Sequence, residues 1–143
     1  MMRNERGANL VEMALISTIL LLLVAGVIDI GRAFNNYIII TNAAREGVRQ
    51  GSRLPCSAAN KALYRVAIVD ATLAEAAGSG ITLAAGNLSI APDPVSTGCA
   101  GAGNPLDVTV EYTFTTILGG ILGVSEFPLR NSASMLFYGN DQE

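Results

Sequence analysis

The sequence predicts an α+β fold: a long N-terminal helix, a second helix, and a small antiparallel sheet of about three to four strands. Three observations carry this reading. Residues 13–28 contain neither a charge nor a proline. Residues 59–76 place apolar side chains at three- and four-residue steps. Residues 106–115 alternate apolar and polar, as a half-buried strand requires.

The N-terminal run is the longest element. From Leu10 to Ile28 it spans about 19 residues, or roughly 28 Å of helix, close to the ~30 Å hydrocarbon core of a bilayer. Only Glu12 interrupts it, and Leu20, Leu21, Leu22, Leu23 and Val24 present apolar groups on every side. Such a helix must be wholly buried, in lipid or in a protein bundle. Arg3 and Arg6, opposed only by Glu5, keep the N-terminus cytoplasmic, so the bulk of the chain is expected outside the inner membrane. A secretory signal cut near Ala25 fits poorly. Glu12 stands where its apolar core would begin, and Leu23-Val24-Ala25 lacks the small-x-small pattern. Two readings remain: a permanent anchor, or a short leader removed after Gly7 with the helix retained. Glu12 then has two accounts. It reaches the headgroups from near the helix end, or it is neutralised by the free amine that cleavage creates on Ala8 of a neighbouring subunit. A carboxylate near hydrocarbon is costly and often marks function.

The helix continues beyond the membrane. Asp29 and Arg32, three apart, can pair on one face and mark the outer headgroup level. No proline occurs before Pro55, and Phe34, Tyr37, Ile38, Thr41, Ala44 and Val48 recur at helical steps. Gly47 and Gly51 lie four apart on one face. They permit close backbone approach, or Gly51 simply ends the helix. Residues 8–51 as one helix would be about 65 Å long.

The leader resembles the processing site of type IV pilins and pseudopilins: Gly7 before the cut, Glu12 as the fifth mature residue, an apolar helix after it. Three stretches together look like the signature of the TadE-like family of the tight-adherence (Tad) pilus system: residues 6–15 (RGANLVEMAL), 29–34 (DIGRAF) and 42–49 (NAAREGVR). The resemblance covers about the first 53 residues and is weak beyond. It implies cleavage by a prepilin peptidase between Gly7 and Ala8. It also implies partnership with other pilin or pseudopilin subunits and an inner-membrane assembly platform, and a structural role as a minor subunit initiating or priming the pilus. The alternative is a membrane-anchored module whose head binds a surface ligand.

The organisation expected is a leader over 1–7, a transmembrane segment over 8–28, an extracytoplasmic continuation over 29–53 and an α+β head over 54–143. In the head, Ser57 is expected to cap a helix whose stripe is Ala59, Ala62, Leu63, Val66, Val69, Leu73 and Ala76. Residues 81–83 and 88–90 are brief strand candidates. Val108, Val110, Tyr112 and Phe114 share one face of the clearest strand. Its partner, residues 129–138, places Leu129, Asn131, Ala133, Met135 and Phe137 together. The apolar, glycine-rich stretch 117–124 is expected to cover the core, with a membrane- or subunit-touching loop as the alternative. Cys56 and Cys99 lie far apart with no CxxC. A disulfide suits an exported head, and two free thiols are the other possibility.

Composition bounds the chemistry. The chain has 143 residues, a net charge of −3 and no His. No basic footprint for nucleic acid is present. Without His, a Ser-His-Asp or Cys-His arrangement is ruled out. Gly119-Gly120 has neither the spacing nor the Lys of a phosphate loop. Asp93, Asp107 and Glu111 match no known calcium loop. No enzyme, metal or cofactor is expected.

Overall fold

The computed structural model describes residues 3–138. Its elements are α1 (Arg3–Arg53), α2 (Lys61–Gly78), a 3-10 turn (Ala85–Asn87), β1 (Leu88–Ala91), β2 (Pro105–Thr115), α3 (Gly119–Leu122) and β3 (Glu126–Leu136). The sheet order is β1-β2-β3. Two units cluster: residues up to Phe34 with Thr115–Phe127, and Asn35–Phe114 with the residues from Pro128 on.

In the second unit, α1 buries Ile39, Ile40, Ala43, Ala44 and Val48. The expected stripe is therefore rotated. Tyr37 and Ile38 are exposed, and the seam is built from Ile40 and the small residues Ala43, Ala44, Gly47 and Gly51. Small side chains let α2 and the sheet come close, which a seam of aromatics would prevent. α1 does not stop at Gly51; it runs to Arg53, and Pro55 disfavours helical geometry at Leu54. A Cβ on Gly51 would lie 2.5 Å from Leu106 Cδ2 and 2.9 Å from Ile68 Cδ1, and one on Gly47 would overlap Thr72 Oγ1.

α2 keeps Val69, Leu73 and Ala76 of the expected stripe on its inner side but is also rotated. Tyr64, Ile68, Val69, Thr72 and Ala76 are buried, whereas Leu63 and Val66, expected on the core stripe, are 74% and 50% exposed. The reason lies in α1. Tyr64 Oη donates to the Gly51 carbonyl at 2.8 Å, and Thr72 sits in the space left by Gly47. Thr72 satisfies its own hydroxyl on the Ile68 carbonyl, 2.8 Å away. Helix start is set by Asn60 rather than Ser57. Asn60 Oδ1 accepts from Ser57 N at 2.7 Å, and its amide donates to the Pro55 carbonyl at 3.0 Å.

β1 pairs antiparallel with β2, Leu88 opposite Val110 and Ile90 opposite Val108. β2 buries Leu106, Val108, Val110 and Phe114, on the face its alternation predicts. Thr109 Oγ1 donates to Ser132 Oγ on β3 at 3.1 Å. Gly103 N and Phe137 N exchange bonds with Phe137 O and Asn104 O at 2.8 and 2.9 Å, closing the ladder. β3 begins at Glu126, earlier than expected, and residues 81–83 form no strand although Ile81 is buried. Leu106, Val108, Ile68, Val48 and Tyr64 form the main core, and Tyr64 meets the Phe137 ring edge-on with centroids 6.2 Å apart.

Gly51→Ala tests the tight seam. Alanine adds about 1 kcal/mol of helix propensity, but overlap in a filled core costs about 1–3 kcal/mol. A net loss is expected in thermal unfolding of the detergent-solubilised chain. Gly31→Ala, where a Cβ would meet nothing within 4 Å, is expected to be neutral or stabilising.

Candidate membrane and assembly segment

The N-terminal part of α1 is set by composition alone. Its most apolar window has a mean hydropathy of 2.5 and is only 6% buried, so the core formed by the described residues does not account for its apolar surface. It is the one helix among the described residues long and apolar enough to cross a membrane. Gly7, Ala8 and Glu12 lie on this helix and are exposed, with nothing within 4 Å of a Cβ placed on Gly7. Arg3 and Arg6 fall within α1, and their side chains lie outside the described residues.

At the far end of the apolar run stands Asp29, a buried carboxylate. Arg32 Nη1 donates to its Oδ1 at 3.1 Å, as the i, i+3 spacing allows. The larger part of its hydrogen bonding comes from distant sequence. Ile117 N donates to both carboxylate oxygens at 2.9 Å, and Leu118 N donates to Oδ2 at 3.0 Å. Sequence reasoning found the Asp29–Arg32 pair and missed this clamp. No local signal joins Asp29 to residues 117 and 118.

The 42–49 signature lies on α1 in the second unit. Arg49 grips Glu46 in a two-point pair, with Nε 2.6 Å from Oε2 and Nη2 on Oε1. Beside them runs a groove of about 580 Å³ bounded by Asn42, Arg45, Glu75, Asn131 and Met135. Asn131 Nδ2 donates to Thr41 Oγ1 across one end of it, at 2.5 Å. Gly47 and Gly51 face α2 and β2 within this chain, as described above.

Cys56 and Cys99 form a disulfide with Cα atoms 5.8 Å apart. It ties the segment after α1 to the loop before β2. The same loop is held by Asp93, which accepts from Val95 N at 2.8 Å, from Ser96 N at 3.4 Å and from Arg65 Nε at 3.4 Å. The Val95 N–H, then the Ser96 N–H and Arg65, hold the Asp93 carboxyl below its ordinary value against a smaller opposing effect of burial. Among the described residues, no group of three or more Asp, Glu or Cys side chains could hold a metal ion.

These shifts set a stability window. Because the folded Asp93 is the stronger acid, its contribution is complete above about pH 4 and is lost as pH falls through the folded value. Burial pushes the Tyr64 hydroxyl up to about 12, so its contribution holds below about pH 10 and is lost as pH rises toward that value. Asp93→Asn is expected to flatten the acid limb of a thermal-stability profile and Tyr64→Phe the alkaline limb, each without changing the other limb.

The described residues comprise a small α+β unit and one apolar N-terminal helix long enough to cross a membrane once, as a single-pass anchored protein would have. A comparison with protein families finds a likeness over that helix. Residues 7–49 match the family model described as TadE-like protein, the family that the N-terminal signature resembles. No curated protein and no solved structure matches the chain. The match covers 43 of the 143 residues, so over its N-terminal helix the chain is similar to the TadE-like proteins of the Tad pilus system.

Proposed function

We propose that this chain is a minor pilin, or pseudopilin, that initiates or primes assembly of a Tad-type pilus. The observation that carries the proposal is the placement of Gly7, Ala8 and Glu12 on an exposed apolar helix inside the TadE-like match. A prepilin peptidase cuts between Gly7 and Ala8 and leaves residues 8–28 as the membrane segment. Residues 29–53 then carry the helix outward, and residues 54–143 form the head. Arg3 and Arg6 hold the leader in the cytoplasm. The Cys56–Cys99 bond supports the same orientation, since disulfides persist in oxidising compartments.

Assembly on this reading exchanges lipid for neighbouring helices around the same apolar surface. The hydrophobic term changes little, so packing and the Glu12 carboxylate decide the direction. Deletion of the gene tests the role. Loss or strong depletion of surface pili is the expected outcome. Normal pili with lost surface attachment would instead favour an anchored binding module.

A further inference from the structure

The tip of the β2–β3 hairpin carries apolar side chains that the fold does not cover. Ile117, Ile121 and Val124 are 58%, 70% and 59% exposed, whereas Leu118 is buried. The expectation that residues 117–124 cover the core is therefore not met. No charge occurs between Thr116 and Ser125.

Two independent features say what covers this tip. The first is its level on the helix. Leu118 Cδ1 lies 3.7 Å from where a Cβ on Gly26 would stand, and Asp29 takes the Ile117 and Leu118 N–H groups. At about 1.5 Å rise per residue, Gly26 and Asp29 bracket the outer end of the apolar run to within one helical turn. The exposed tip thus stands at the same level along the helix as the exposed side chains of Val27, Ile28 and Ile30.

The second feature is the state of its backbone. Thr116 N donates to Ser125 O, Ile121 N to Leu118 O and Gly123 N to Gly119 O, each at 2.9 Å. Thr116 Oγ1 donates to Val124 O at 2.8 Å. With Asp29 serving Ile117 and Leu118, four N–H groups of residues 117–124 are paired within the chain. Each group paired in this way lowers the cost of entering a water-poor region.

We propose that this tip is a second membrane contact, seated in the outer-leaflet interface beside the anchor. Ile117, Ile121 and Val124 enter the lipid and Asp29 fixes their depth. The proposal rests on residues 8–28 being the membrane segment. It makes the anchor two-pronged, so withdrawing the helix into a pilus must also withdraw the hairpin tip.

The chain contains no Trp, so single tryptophans report depth. Ile121→Trp, Leu20→Trp and Val95→Trp would be placed one at a time in the full chain, reconstituted in phosphatidylcholine–phosphatidylglycerol vesicles at low protein density. Emission would be read with brominated acyl chains and with aqueous acrylamide as quenchers. The expected result is blue-shifted emission and strong bromolipid quenching for Ile121→Trp, as for Leu20→Trp, while Val95→Trp responds to acrylamide. Acrylamide quenching of Ile121→Trp with bromolipid quenching of Leu20→Trp would overturn the tip contact and leave the anchor standing. Loss of bromolipid quenching at both sites would overturn the anchor itself. Shielding of Ile121→Trp from both quenchers would also overturn the lipid contact, by placing protein over the tip.

Discussion

Replacing Cys56 and Cys99 together with serine is expected to lower the unfolding free energy of the head by about 4 kcal/mol, from the chain entropy released when a loop of this length is no longer closed. The bridge spans 43 positions in sequence and joins the segment after α1 to the loop preceding β2. Without it, the segment before Asn60 and the loop around Ala100 lose their covalent tie, while Leu106, Val108 and Ile68 keep their packing. The head should therefore still fold, with a transition lowered by many degrees. Thermal unfolding of the double variant beside the oxidised chain measures this. Reductant should lower the transition of the natural chain and leave the variant unchanged. An unchanged transition in the variant would show that the closed loop contributes nothing to stability.

Glu12→Gln is expected to abolish or severely reduce incorporation of the subunit, with membrane insertion intact. Glutamine keeps the size of the side chain and one acceptor oxygen, replaces the other oxygen with an amide donor, and removes the charge. A carboxylate at this depth is costly unless a cation meets it. The Ala8 amine of a neighbouring cleaved subunit can supply that cation, and glutamine cannot exploit it. Insertion should become easier, so loss of assembly cannot be blamed on a failed anchor. Fractionation followed by immunodetection in sheared surface material separates the two steps. Normal incorporation of the variant would leave Glu12 with no role beyond reaching the headgroups.

The elements with strong internal pattern were legible in the sequence. An unbroken apolar run gives α1, and the alternation from Leu106 to Phe114 gives β2 and its buried face. The faces of the helices were less legible. Alanine and glycine weigh little in a hydropathy pattern, yet Ala43, Ala44, Gly47 and Gly51 form the closest seam of α1. Phe34, Tyr37 and Ile38 dominate the pattern and remain exposed. The same close seam takes Tyr64, whose hydroxyl donates to the Gly51 carbonyl, and Thr72, which fills the space left by Gly47, over the more apolar Leu63 and Val66. The bond between Cys56 and Cys99 could not follow from spacing, which left free thiols open. The Asp29 clamp joins residues nearly ninety positions apart and left no local trace.

Asn9–Val11 and Met13–Leu15 are exposed around Glu12, and Gly7 and Ala8 are exposed on the same helix. The central claim is that this segment is processed and then used in assembly. The most direct test is the mature N-terminus, from intact mass and the N-terminal peptide of protein purified from its native host. The account predicts a chain beginning at Ala8 with residues 8–28 retained. A chain still beginning at Met1 or Met2, or one cut beyond Ile28, would contradict it.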